Sequence, residues 1–356
     1  MCKMYEIDPD GDLIIIHHKP KEAFAVWDNK KDSTNSPQDD VQVKKIGESQ
    51  QEGSDSSGSP SPALESQFKV SSKHLTLASR RFRKMLSGDW LEANTIYPDG
   101  HRHVTLEAFD PDALLILLNI LHGKTRKVPR SVDLEMLAKI SVIVDDFECH
   151  EEVEIFSDEW IRTLKDWLPT DYNRDLVLWI LISIVFHKHA EFKRATHTAI
   201  LHNEGLMKTL DLPIPGVVID KIEQNRTAFL DQLFSMLNSL INDLCKPDRC
   251  SFECRSAQLG ALTMQMKKYG LFPSRSDDSL FGYSFAHVSQ SLRSFEVPQS
   301  HPLCPGCRNT QKKLYRAVYA REFQETYKCN LRESLNPALA RLEERISGLD
   351  LDDYVL

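Results

Sequence analysis

The chain has 356 residues, 41% hydrophobic and 27% charged, with a formal net charge of −8 at pH 7. That length fits about two domains and buries a sizeable core, and the acidity argues against a general nucleic-acid binder, whose surface would be basic. Eight cysteines behind an N-terminus without an apolar signal core, MCKMYEIDPDG, point to a reducing compartment, cytosolic or nuclear.

Leu13 to Ile16 is an apolar run between Asp-Gly and His-His-Lys-Pro, the pattern of a buried strand. Phe24 to Trp27 alternates and predicts a second strand, so the pair predicts a hairpin. Residues 28–66 are rich in Ser, Asp, Gln, Lys and Gly and poor in apolar side chains. Such a composition cannot offset chain entropy by burial and predicts a disordered polar insert inside a domain. Phe68 and Val70 then alternate with Lys69 and Ser71 as a strand. Ser71 and Ser72 can cap a short helix carrying Leu75, Leu77 and Ala78, and Ser79 can cap the next, with Phe82, Met85 and Leu86 on one face and Gly88 as its stop.

Val104 and Leu106 predict another short strand, and Asp110-Pro111 opens a helix by cap and N1 proline. Leu114 to Leu121 is apolar almost all round, so that helix is central, and Gly123 ends it. Lys124 to Arg130 is a local basic stretch, read either as a small nucleic-acid patch or as a solvated loop. Val132 to Phe147 predicts two short helices, and Val153, Phe156, Trp160, Leu164 and Trp167 form one stripe that Pro169 stops. Beyond Asp171 the chain reads as all helix: Leu176–Phe186, a second around Glu191–Leu201, and a longer one from Val218 to Leu244. Shorter helices around Leu262 and Val288 follow, then a last one from about Lys312 to Cys329. The run Leu176–Phe186 falls far short of the roughly 20 residues that span a bilayer, so a buried helix is expected and no membrane contact.

Several segments in combination resemble a BTB/POZ domain. They are Asp12-Leu13-Ile14-Ile15-Ile16, Phe68-x-Val70 with Ser72-Lys73-His74-Leu75, and Ala78-Ser79-x-x-Phe82-x-x-Met85-Leu86. To these add Pro111-x-Ala113-Leu114-x-x-Leu117-Leu118-x-x-Leu121-His122-Gly123, and Leu137-Ala138 with Asp145-x-Phe147 and Cys149. The whole chain looks closest to BTB-containing proteins of filamentous fungi. The resemblance implies an α+β fold, a small sheet covered by helices, acting as an interaction module without an active site. Many members carry a helix and strand ahead of the first strand that build a swapped dimer. Only about ten residues stand there in this chain, which keeps a monomer or a heterocomplex of the cullin-adaptor kind open beside the dimer.

The resemblance also gives Trp90-Leu91-Glu92 a role, because cullin-binding members carry a hydrophobic-x-Glu pattern at this loop. An exposed aromatic would anchor in a partner pocket beside an oriented carboxylate; the alternative is that Trp90 packs back on its own domain. Cys250-x3-Cys254 and Cys304-x2-Cys307, with Pro305-Gly306 between the latter, have a spacing that suits a four-thiolate structural zinc site, with His301 as a substitute ligand. Reduced packing cysteines are the alternative, and otherwise no cofactor is expected. His17 and His18 read as surface residues at a strand end. His187 and His189 do not share a helical face, and His197 and His202 could pair with Glu191 or Glu204 without a nucleophile nearby. Tyr315, Tyr319, Phe323 and Tyr327 form an aromatic row, and the tail LDLDDYVL is either a docking peptide or a back-packed end.

The expected organisation is a BTB/POZ domain over 8–168 with its insert at 28–66, an all-α domain over 171–345, and an acidic tail at 346–356. The expected function is protein–protein interaction, with substrate adaptor of a cullin-type ubiquitin ligase as its concrete form. A self-associating scaffold or transcription-associated regulator is the alternative, and an enzyme in the helical half a remote one. The helical domain would take a partner of its own that the sequence does not identify.

Overall fold

The computed structural model describes residues 3–18, 22–27, 65–88, 94–247, 251–271, 280–296 and 330–354. The fold is mixed α+β, a small sheet followed by a helical region. The chain divides into two compact units, Met1–Thr163 and Leu164–Leu356.

The N-terminal unit holds β1 (Lys3–Glu6), β2 (Leu13–His18), β3 (Glu65–Val70) and β4 (Arg102–Glu107), in the spatial order β1-β3-β2-β4. β2 is central: it runs antiparallel to β3 and parallel to β4, with Ile15 opposite both Phe68 and Val104. Both of its faces are covered, so Leu13, Ile14 and Ile15 are all buried, and this is why its sequence is continuously apolar. β3 alternates instead, with Phe68 and Val70 buried and Gln67 and Lys69 half-exposed. β1 lies parallel to β3 at the sheet edge, with Tyr5 stacked on Phe68 at 5.0 Å. Gly11 turns the chain from β1 into β2 against the Val70 carbonyl oxygen, which a Cβ would approach to 2.6 Å.

Two strand expectations change. Phe24 to Trp27 is a turn, not a strand, with Ala25 at φ 49°, so the predicted hairpin is absent and the antiparallel partner of β2 is the distant β3. β3 also begins at Glu65, inside the predicted insert, and residues 28–64 lie outside the described residues.

The helices of this unit are α1 (Ser72–Ala78), α2 (Arg80–Leu86), α3 (Pro111–Leu121), α4 (Leu134–Phe147) and α5 (His150–Leu164). Ser79, fully buried, separates α1 from α2: its Oγ accepts from the Phe82 N–H at 3.1 Å and donates to the Phe147 carbonyl at 2.6 Å. One side chain thus caps α2 and ties it to the end of α4, where Phe82 meets Phe147 edge-on at 4.9 Å. Asp110 caps α3 through the Asp112 and Ala113 N–H groups, with Pro111 at its first turn, and Gly123 leaves it at φ 66°. Val132–Phe147 gives one helix, α4, where two were expected, capped by Asp133 and ended by Glu148 in a left-handed conformation. Its buried positions Leu137, Ile140, Val144 and Phe147 recur at spacings of three and four, so one face continues through the whole helix. α5 stops at Leu164; Trp167, expected on the same stripe, follows in a short 3-10 turn and is exposed.

The C-terminal unit contains α6 (Arg174–Val185), α7 (His189–His202), α8 (Gly216–Cys245), α9 (Phe252–Lys268), α10 (Phe285–Arg293) and α11 (Leu331–Glu343). α6 is buried over Leu176 to Ser183 without a break, as its uniformly apolar sequence predicts. α8 runs for 30 residues and buries Val218, Ile222, Arg226, Leu230, Leu233, Leu237, Leu240 and Leu244 at spacings of three and four. α11, with Pro337 inside it, lies beyond the last helix expected from the sequence. The expected helix over Lys312–Cys329 and its aromatic row lie outside the described residues.

The tail packs back. The Leu349 N–H donates to Thr196 Oγ1 at 2.9 Å, Leu349 and Leu351 are buried, and Tyr354 meets the Phe192 ring. Gly348 makes this seat: a Cβ there would fall on the Lys193 carbonyl.

Candidate interaction surface

Trp90, Leu91 and Glu92 lie outside the described residues, but their flanks do not. α2 ends with Gly88 at φ 98°, a conformation that favours glycine, and Asn94 Nδ2 donates to the Gly88 carbonyl at 2.8 Å. That bond ties the two ends of the stretch together on the way from α2 to β4. Just beyond it Ile96 is exposed and Tyr97 is stacked on His103 at 4.1 Å. The described rim of this stretch therefore carries exposed apolar side chains.

One polar cluster of the N-terminal unit links three of its segments. Asp12 accepts from the Ser72 N–H at 2.8 Å, from Ser72 Oγ at 2.7 Å and from Arg102. Burial would raise this carboxyl, but the two Ser72 bonds and Arg102 outweigh it and bring it down to about 2. The cluster joins the start of β2 to α1 and β4. In the C-terminal unit Ser289 Oγ likewise donates to Glu343, which Arg293 holds, not to a histidine.

Two histidines are built into the N-terminal unit through their ring nitrogens. His122 Nε2 accepts from the Ser71 N–H at 3.0 Å, so Nδ1 carries the proton and donates to the Leu118 carbonyl at 2.8 Å. His17 is 0% exposed, contrary to its expected surface position, and Nε2 pairs with the Phe109 carbonyl at 2.8 Å. Burial lowers the pKa of both. His17 is buried because β2 extends past its apolar run to pair with the whole of β4, placing His17 opposite Leu106.

In the C-terminal unit His202 pairs with Asp171 at 3.3 Å, not with the nearby glutamates. His189 comes together with Asp350 and Asp352, their ligand atoms within 4.8 Å and all three exposed. Sequence spacing could not show this, because the tail returns to α7 from far along the chain. Cys254 is buried and its sulfur accepts from Gln258 Nε2 at 3.2 Å, while Cys250, Cys304 and Cys307 lie outside the described residues. Cys149 is buried too, and burial pushes its thiol well above the ordinary value. Among the described residues no helix is long and apolar enough to cross a membrane.

Comparison of the chain with protein-family models, with curated proteins and with solved structures finds no match.

Proposed function

We propose that the chain is a non-enzymatic protein-interaction protein with a BTB/POZ-like N-terminal unit. In this reading Trp90, Leu91 and Glu92 engage a cullin-type scaffold, and the helical unit carries the substrate of a ubiquitin ligase complex. The observation that carries it is the order β2-β3-α1-α2-β4-α3-α4-α5, folded as a small sheet with helices, around segments that resemble that family. The tied base at Gly88 and Asn94, which sets the 90–92 stretch between α2 and β4, is consistent with a contact loop.

The test is affinity capture of the full chain at native expression. A cullin should be recovered with the parent chain and lost with Trp90→Ala/Glu92→Ala, whereas recovery of no cullin would remove the adaptor role. Self-association is the second reading, favoured by β1, an edge strand whose residues are largely exposed. Light scattering after size exclusion separates the two, because a monomer at high concentration excludes a self-associating scaffold.

A further inference from the structure

The basic stretch Lys124 to Arg130, which the function above leaves unused, borders a groove in the N-terminal unit. The groove has a volume of about 730 Å³, within the range that accepts a bound side chain or small ligand. One wall is the turn after α3, with Thr125, Arg126, Val128, Pro129 and Arg130; the other is α5. α5 turns Val153, Ser157, Trp160 and Ile161 inward, which leaves Phe156 half-buried in the groove and Ile155 82% exposed at its edge. Trp160 is 1% exposed, and its indole N–H donates to the Pro129 carbonyl at 3.0 Å. That bond fixes the spacing of the two walls, and the Phe156 ring lies 6.0 Å from the Trp160 ring.

The charges are asymmetric. Glu159, on the helical wall, is held by Arg162 in a two-bond fork of 3.0 and 2.7 Å. Arg126 and Arg130, on the opposite wall, are exposed and have no carboxylate partner among the described residues. Lys124 and Lys127 adjoin them in a chain whose net charge is −8. A basic stretch alone is a solvated loop. Set over an apolar slot with an isoleucine at its lip, it complements a segment that combines carboxylates with an apolar side chain, because guanidinium groups pair with carboxylates in a planar fork. We propose that this groove docks an acidic peptide segment of a partner protein. One aliphatic or aromatic side chain of that segment sits against Phe156 and Ile155, and its carboxylates meet Arg126 and Arg130. The site uses none of residues 90–92, the proposed cullin contact.

The test applies the full chain to immobilised peptides carrying one Leu, Phe or Trp between Asp and Glu residues, and to a matched set with Asn and Gln. The expected result is binding to the acidic set that weakens as salt rises. Arg126→Glu/Arg130→Glu should weaken it about tenfold or more, and Ile155→Asp should do the same. All three positions are exposed, so thermal unfolding of the variants should match the parent and confirm that they fold. No binding to the acidic set, equal binding to both sets, undiminished binding by the charge-reversed variant, or preferential capture of single-stranded RNA would overturn the proposal.

Discussion

His122 gives the N-terminal unit a bond that only a neutral ring can make, and His17 is buried with one ring nitrogen donating to the Phe109 carbonyl. Protonation would remove the Nε2 acceptor from the Ser71 N–H at His122 and place a second N–H against buried surroundings at His17, whose Nδ1 has no partner among the described residues. Both pKa values lie below the ordinary 6.5 in the folded chain, so the unfolded chain takes up the proton first as pH falls. Their stabilisation is therefore complete above about pH 6.5 and is lost as pH falls from there toward the depressed folded values. Asp12 acts in a lower window: its contribution is present above the ordinary 3.8 and is lost as pH falls through about 2. It is small, because the carboxylate is half-exposed. Urea midpoints across the upper window should fall with pH in the parent and fall less in a His17→Leu/His122→Leu variant; parallel slopes would contradict this. The sequence showed the apolar positions of β2 plainly but not the burial of His17, since burial at a strand end depends on which distant strand pairs there.

At the scale of elements, local signals were the most readable. The caps at Ser79 and Asp110 and the glycine after α3 were legible because each acts within one turn. The false hairpin and the unforeseen β1 share a cause. Nearness in sequence suggests a strand's partner, whereas β2 pairs with β3 and β4, and β1 is a short, exposed edge whose residues follow no strict alternation. Arg226 was missed for a similar reason, as a charge on the apolar stripe of α8. It is 1% exposed, forks onto Glu223 at 3.0 and 2.5 Å, and donates to the Leu280 and Tyr283 carbonyls at 3.1 and 3.0 Å. Its guanidinium holds the 280–283 turn against the helix. Arg226→Met should destabilise the C-terminal unit by about 3 kcal/mol, because Glu223 and two carbonyls lose their donor; urea unfolding measures it, and a variant as stable as the parent would show that the clamp contributes nothing.

At the scale of the molecule, each unit has a buried core of its own, and each is expected to melt with its own enthalpy. Calorimetry should resolve two transitions. Gly348→Ala, which forces the tail off Lys193, should lower one of them by about 2 kcal/mol and leave the other in place. A shift of both would mean that the two cores unfold together. The sheet carries a kinetic consequence as well. Its central antiparallel pair, β2 and β3, can register only after the chain from residue 19 to residue 64 has closed on itself. The entropy of that closure falls by about 0.6 kcal/mol for each halving of the connection. A chain with this stretch cut to half its length should refold about threefold faster in stopped-flow measurements while unfolding at the parent rate. The insert then acts as a clock on the birth of the domain, setting how long the hydrophobic edges of β2 and β3 stay open to other chains before they find each other.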